Sequence, residues 1–236
     1  MPAAAGGDVT APTITKPVVR FTAKATVGAS SAPIRVSWTG DDDWTGVAQF
    51  QLQQSLDGGT YANVALANPM VTSVGRSIVM GKSYRYRVRA RDNAGNWSAY
   101  RDTGTPFLLY VYQQTSTKFA WSGSWYSESL AGSLGGTTKY SNQNVATVRF
   151  TFFARSVAWV GMTCSYCGMA PLYVDGSYST AINTQEGPHN WHSAPRVMWQ
   201  RSWATHGTHN FELRPERTFL HPRVYVDAAL LLVPVG

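Results

Sequence analysis

The chain has two cysteines, and they stand three positions apart in Cys164-Ser165-Tyr166-Cys167. That spacing admits four chemistries. A local loop disulfide forms in an oxidising compartment. Two thiolates make half of a zinc site, for which His189 and His192 offer the remaining ligands. A redox pair of the thioredoxin type needs a helix directly after a strand, whereas this segment lies between strand-like stretches. Free thiols are the fourth reading. A second group is acidic: Asp41, Asp42 and Asp43 in one turn, and Asp92, Asn93 and Asn96 in another. If the two turns meet, Asp41, Asp43, Asp92 and Asn93 are candidate oxygen ligands for a structural Ca²⁺, the one cofactor these residues suggest. Asx turns and hairpins use the same residue types.

A third group is cationic. Arg85, Arg87, Arg89 and Arg91 alternate with apolar residues, as do Gln49, Gln51 and Gln53. Side by side they form a basic ladder able to take an acidic glycan or a neighbouring protein, or a plain solvated face. The fourth group is aromatic: Tyr166, Trp191, Tyr126, Tyr178 and Trp44 fall in predicted loops. An exposed ring stacks on the apolar face of a sugar while a nearby polar group fixes its hydroxyls, and the first four are the candidate glycan ligands. Loop aromatics also fill loop cores and subunit contacts. Trp159, Trp199 and Trp203 lie on strand-like segments and read as core.

Catalytic patterns are missing. No nucleophile elbow and no HExxH-type zinc site occurs, and the glycines of residues 132–136 precede no helical pattern. Glu186, Glu212 and Glu216 show no pairing logic. The expectation is a protein that is not an enzyme.

The elements that must position these groups are strands. Ile34, Val36 and Trp38, then Phe50 and Leu52, then Tyr84, Tyr86, Val88 and Ala90, then Val148, Phe150 and Phe152, each alternate with polar residues. Period two marks strands with one buried face. Turn signals separate them: Asp57-Gly58-Gly59, Met80-Gly81-Lys82, Asp92-Asn93-Ala94-Gly95-Asn96, and Asp175-Gly176 as a tight hairpin. No segment has a helical period. The 236 residues, 44% hydrophobic, supply two cores of ordinary size. The expected fold is all-β: two tandem antiparallel sandwiches, with an extended leader over residues 1–9, one domain over 10–110 and another over 111–236. The apolar run from Phe107 to Gln113 is expected to end the first.

Charge narrows the partners. The net charge of +7 is shared evenly, 11 basic against 7 acidic residues over 1–108 and 9 against 6 beyond, without the concentration a nucleic-acid binder shows. No apolar run of membrane-spanning length occurs, so no membrane insertion is expected. Residues 1–8 lack the basic and apolar regions of a signal peptide.

Residues 10–108 resemble a fibronectin type III domain of the bacterial secreted kind. The resemblance rests on Trp38, on Gly81-Lys82-Ser83-Tyr84-Arg85-Tyr86-Arg87-Val88-Arg89-Ala90, on Asp43-Trp44-Thr45-Gly46-Val47-Ala48 and on Arg91-Asp92-Asn93-Ala94-Gly95-Asn96-Trp97-Ser98. It implies a spacer or adhesion module, makes Tyr84 a corner tyrosine, and puts the two acidic turns at one end of the sandwich. Residues 118–233 resemble the galactose-binding-like jelly roll. The matching pieces include Trp121-Ser122-Gly123-Ser124-Trp125, Leu172-Tyr173-Val174-Asp175-Gly176, Trp199-Gln200-Arg201-Ser202-Trp203 and Arg223-Val224-Tyr225-Val226-Asp227-Ala228. That resemblance implies binding of carbohydrate or cell-surface glycan by loops at one edge. The cysteine pair departs from the pattern.

Two functions compete. One is a non-catalytic binding or adhesion module of an extracellular or cell-surface protein that recognises polysaccharide through its second domain. The other is a structural subunit of a larger assembly, a phage capsid decoration or tail protein or a bacterial surface filament, whose partners are other subunits and whose location is the virion. A start without a signal peptide suits the latter.

Overall fold

The computed structural model describes residues 7–188, 191–216 and 220–235. The fold is all-β, every named strand pair is antiparallel, and the one helical element among the described residues is a 3-10 turn at Leu134–Gly136. The alternating segments fold as their period dictates. In the strand Ser83–Asp92 the side chains of Tyr84, Tyr86, Val88 and Ala90 are buried, and the arginines between them face outward. Val148, Phe150, Phe152 and Ala154 are the buried face of the first half of the long strand Thr147–Gly161, whose second half, from Ser156 on, is buried on both faces. Burying each large apolar side chain contributes about 1.5–3 kcal/mol. Asp175 and Gly176 both have positive φ, 50° and 81°, and join Met169–Val174 to Ser177–Asn183. That conformation is what an Asp-Gly hairpin turn requires.

One sheet of 11 strands runs through both halves of the chain. From one edge its order is Ser177–Asn183, Met169–Val174, Arg196–Leu213, Thr147–Gly161, Ala228–Pro234, Phe107–Gln113, Ser83–Asp92, Val47–Leu56 and Ala62–Val64. Phe119–Ser122 pairs with Thr147–Gly161, and Arg101–Asp102 with Ser83–Asp92. Two sheets of three strands and one of two complete the fold: Val18–Phe21, Ser31–Ser37 and Ser73–Val79; Tyr126–Glu128, Thr138–Ser141 and Val224–Val226; Thr13–Ile14 with Gly40–Asp41.

The strand Phe107–Gln113 behaves differently from its expected place at the end of the first domain. All seven of its residues pair with Ala228–Pro234, and only Phe107 and Leu108 pair with Ser83–Asp92. The cause lies in its composition. Phe107, Leu109 and Val111 join one core cluster, with Ile34, Trp38, Leu52 and Tyr86, while Tyr112 packs on the other, with Phe150, Trp159 and Phe211. A strand apolar on both faces belongs inside a sheet. The first cluster also takes in Ala158, Val160, Val197 and Leu230 from the second half, so the two halves share buried surface.

Candidate functional site

Cys164 and Cys167 form a disulfide, with Cα atoms 5.0 Å apart and both side chains fully buried. Both sulfurs are thereby committed, and a zinc site would lack its thiolates. His189 lies outside the described residues. The bond closes a four-residue loop that carries Tyr166, and the backbone around it is pinned to two neighbouring loops: Cys164 bridges Gln185 and His192, and Cys167 bridges Arg223.

Tyr166 therefore opens onto a polar network. Its hydroxyl lies 2.6 Å from His192 Nε2, which is also 3.3 Å from the Tyr225 hydroxyl. Tyr225 donates to Glu128 Oε2 at 2.8 Å and accepts from Arg223 Nη1 at 3.0 Å. The Arg223 guanidinium sits 4.3 Å over the Tyr140 ring and 5.1 Å from Tyr166. Strand register builds the rest. Tyr126, Tyr140 and Tyr225 are direct partners across three adjacent strands, with ring centroids 5.5 and 5.4 Å apart in turn. Glu128 is two residues from Tyr126 on the same strand and so on the same face. The row runs from buried Tyr225 to Tyr126, which is 45% exposed.

The ionisation states follow from burial. Burial pushes the Tyr225 phenol far up, the hydrogen bond to Glu128 adds to that, and Arg223 opposes it. Burial also pushes His192 below its ordinary value, with Arg223 adding and Glu128 opposing. At neutral pH Tyr225 is a neutral donor and His192 a neutral imidazole. Chemically, this is an aromatic shelf, Tyr126 beside Tyr140, edged by a cation and a carboxylate.

Of the four aromatic candidates, Tyr126 and Tyr166 belong to this network. Trp191 folds back on its own loop, its ring filling the space a side chain at Gly187 would occupy. Tyr178, exposed, lies on the edge strand Ser177–Asn183 with its ring edge-on to Tyr173 at 5.7 Å. Sequence reasoning missed Glu128, Tyr140, Arg223 and Tyr225 as members of the site. In the sequence Arg223 and Tyr225 figure only as part of the jelly-roll resemblance, and nothing local shows that three separated segments align in register.

The arginine ladder lies beside the glutamines as the alternation suggests: Gln49, Gln51 and Gln53 pair across from Arg91, Arg89 and Arg87. The guanidinium groups are occupied within the protein. Arg85 pairs with Asp102 at 2.8 Å. Arg87 lies between Tyr61 and Tyr100, at 3.9 and 4.1 Å, and donates to Gln53 Oε1 at 2.8 Å. Arg89 faces Trp97 at 4.1 Å and Tyr100 at 4.7 Å and donates to Gln51. Arg91 donates to the Gly95 carbonyl. An open cationic strip is thus replaced by interleaved arginines and aromatic rings, because rings from flanking segments fill the gaps.

The acidic turns meet, with a different membership from the expected four. The carboxylates that converge are Asp8, Asp42 and Asp92, with one oxygen from each within 4.8 Å of the others. Asp41 is exposed in the strand Gly40–Asp41 and Asp43 is exposed beside it. Asn93 points its amide nitrogen at the carbonyls of Thr45 and Gly46, where it acts as a donor. Asp8, inside the segment read as a leader, is buried and accepts from Thr45 at 2.6 Å. Burial alone would raise the Asp92 carboxyl, but hydrogen bonds from Asn96 and Gly95 outweigh it and hold it below its ordinary value. An all-oxygen donor set of this kind suits a hard divalent cation.

No protein-family model matches the chain. Over 109 residues, 46% of this chain, it is 29% identical to the A type blood N-acetyl-alpha-D-galactosamine deacetylase of Flavonifractor plautii, of which it covers 14%. Over 63 residues, 27% of this chain, it is 30% identical to the A type blood alpha-D-galactosamine galactosaminidase of the same organism, of which it covers 6%. The chain therefore spans a small part of each of these relatives. Among solved structures, the carbohydrate-binding module CBM36 in complex with calcium and xylotriose aligns over 51% of this chain and 97% of its own, at 13% identity and a TM-score of 0.36. A family two carbohydrate esterase from Cellvibrio japonicus aligns over 55% of this chain and 36% of its own, at 10% identity and a TM-score of 0.41.

Proposed function

We propose that the chain is a non-catalytic carbohydrate-binding module of an extracellular protein, which holds a polysaccharide or cell-surface glycan on the Tyr126–Tyr140 shelf. The shelf itself carries the reading: an exposed ring continuous with a half-buried one, flanked by Arg223 and Glu128. Aromatic faces stack on sugar rings, and a charged pair at the edge hydrogen-bonds hydroxyls. The relatives support it, since both are named for reactions on amino sugars of the A type blood antigen. The disulfide supports an oxidising compartment. In this reading residues 10–110 are a fibronectin type III-like sandwich that acts as a spacer, and residues 111–236 are a galactose-binding-like sandwich that carries the site. Tyr84, whose hydroxyl accepts from the Val79 backbone at 2.9 Å, is the corner tyrosine of the first.

A glycan array followed by calorimetry tests the proposal. The folded protein binds at least one glycan, and Tyr126→Ala weakens that binding about 5–30-fold, the loss expected for one central aromatic contact. Tyr126 is partly exposed, so its removal leaves the melting temperature nearly unchanged. Failure of the folded protein to bind any glycan would sink the proposal.

A further inference from the structure

A second site lies away from the shelf, where Val18–Phe21 meets the long strands Thr147–Gly161 and Arg196–Leu213. A cleft of 390 Å³ opens there, lined by Lys16, Arg20, Thr103, Arg155, Ser202 and Trp203 among others. Its volume falls within the range of about 300–1,000 Å³ typical of small-molecule sites. Three of its lining residues are cations, and none of the described ones is a carboxylate. Arg155 is the unusual member. Its Nη1 donates to the Thr103 carbonyl at 3.3 Å, and no carboxylate among the described residues pairs with it. Arg85, Arg149, Arg196, Arg214 and Arg223 each have a carboxylate partner. Arg155 shares its lack of one with Arg87 and Arg89, but those two are stacked on aromatic rings and bonded to glutamines, and among the described residues no ring covers Arg155. Burial disfavours the Arg155 charge, and its field in turn helps to lower the pKa of His206. A partly buried guanidinium without an anion, with two more cations at the same cleft, is an electropositive hollow awaiting a counter-charge. Trp203, stacked on His209 at 3.8 Å, gives the hollow an aromatic side.

We infer that this cleft binds an acidic sugar residue, its carboxylate or sulfate held by the Arg155 fork and drawn in by Lys16 and Arg20. A guanidinium takes a planar carboxylate through two parallel hydrogen bonds. Lys16 and Arg20 are exposed and act mainly through their charge. The site is separate from the Tyr126 shelf and does not depend on it.

The test is calorimetry on the whole chain at low ionic strength with tetragalacturonate, its neutral methyl ester, a sulfated galactan oligosaccharide and sodium sulfate. The inference requires that at least one acidic oligosaccharide binds about tenfold more tightly than the neutral ester, with affinity falling as salt rises. Arg155→Gln then weakens that binding about tenfold or more. The variant Lys16→Gln/Arg20→Gln, at two exposed positions, weakens it and flattens its salt dependence. Tyr126→Ala leaves it unchanged. The two acids report whether carboxylate or sulfate is preferred, and sodium sulfate reports whether charge alone suffices. Equal binding of acid and ester overturns the inference, as does failure to bind either acid. So does an acid affinity that survives both cation variants, or one that Tyr126→Ala removes while Arg155→Gln does not.

Discussion

Arg87 decides whether the arginine ladder holds the fold or waits for a ligand. Its guanidinium lies between two rings, 3.9 Å from Tyr61 and 4.1 Å from Tyr100, and its Nε donates to Gln53 at 2.8 Å. Each cation–π contact at a partly exposed position contributes roughly 0.5–1 kcal/mol. A hydrogen bond from a charged donor contributes about 1.5 kcal/mol at the low end of its range. Arg87→Met keeps the aliphatic stem and removes all three, so the expected loss is about 2.5–3.5 kcal/mol. For a chain of this length each kcal/mol moves the melting temperature by about 2–4 °C, which gives a drop of about 5–14 °C. Arg87→Lys keeps the charge but loses the plane and the Nε donor, and it recovers less than half of the loss. Urea denaturation followed by tryptophan fluorescence measures both variants against the parent. A loss below about 0.5 kcal/mol for Arg87→Met, the range of neutral surface changes, would show a guanidinium in solvent and refute the stacked arrangement. So would a lysine variant as stable as the parent.

The Cys164–Cys167 disulfide closes a loop of four residues, for which the chain-entropy relation gives about 2 kcal/mol of stabilisation. Cys164→Ala/Cys167→Ala lowers the denaturation midpoint accordingly and, by loosening Tyr166, weakens glycan binding; a midpoint equal to the parent's in non-reducing buffer would contradict this. Glu212 gives a pH signature. Burial raises its carboxyl, but hydrogen bonds from Arg149 and Arg214 outweigh burial and hold it below the ordinary 4.5. Because the folded value is depressed, its stabilisation is fully present above the unfolded value and is lost as pH falls through the folded one. Glu212→Gln is therefore less stable than the parent at neutral pH, and the gap narrows in melts taken at successively lower pH below 4.5. A gap that persists unchanged in strong acid would remove the ion pairs as its cause.

Local pattern and long-range geometry were legible to different degrees. The alternation in Ser83–Asp92 and Thr147–Gly161 announced strands, because a period of two has one structural meaning. The adjacency of arginines and glutamines followed from two such periods. The rings of Tyr61 and Tyr100 between the arginines did not, since both lie on segments with no period of their own. The aromatic shelf was half legible. Tyr126 and Tyr166 stood out as loop tyrosines, but Tyr140 and Tyr225 joined them only through the register of three short strands. The acidic cluster was misassigned for a similar reason. Asp8 enters from a segment that sequence reads as a leader, and Asp41 is turned away by pairing with Thr13.

The seven-residue pairing of Phe107–Gln113 with Ala228–Pro234 also governs how the protein is made. The nearest pair in that register, Gln113 and Ala228, stands 115 positions apart. At a synthesis rate of about 5–20 residues per second, Phe107–Gln113 leaves the ribosome roughly 6–23 s before its main partner exists. During that interval a Phe-Leu-Leu-Tyr-Val-Tyr run presents an unpaired edge, the kind that recruits strands from other nascent chains. Chains interrupted before residue 228 keep that edge open, and the expected outcome is that a chain ending at residue 227 sediments with the insoluble fraction while the full chain stays in the supernatant.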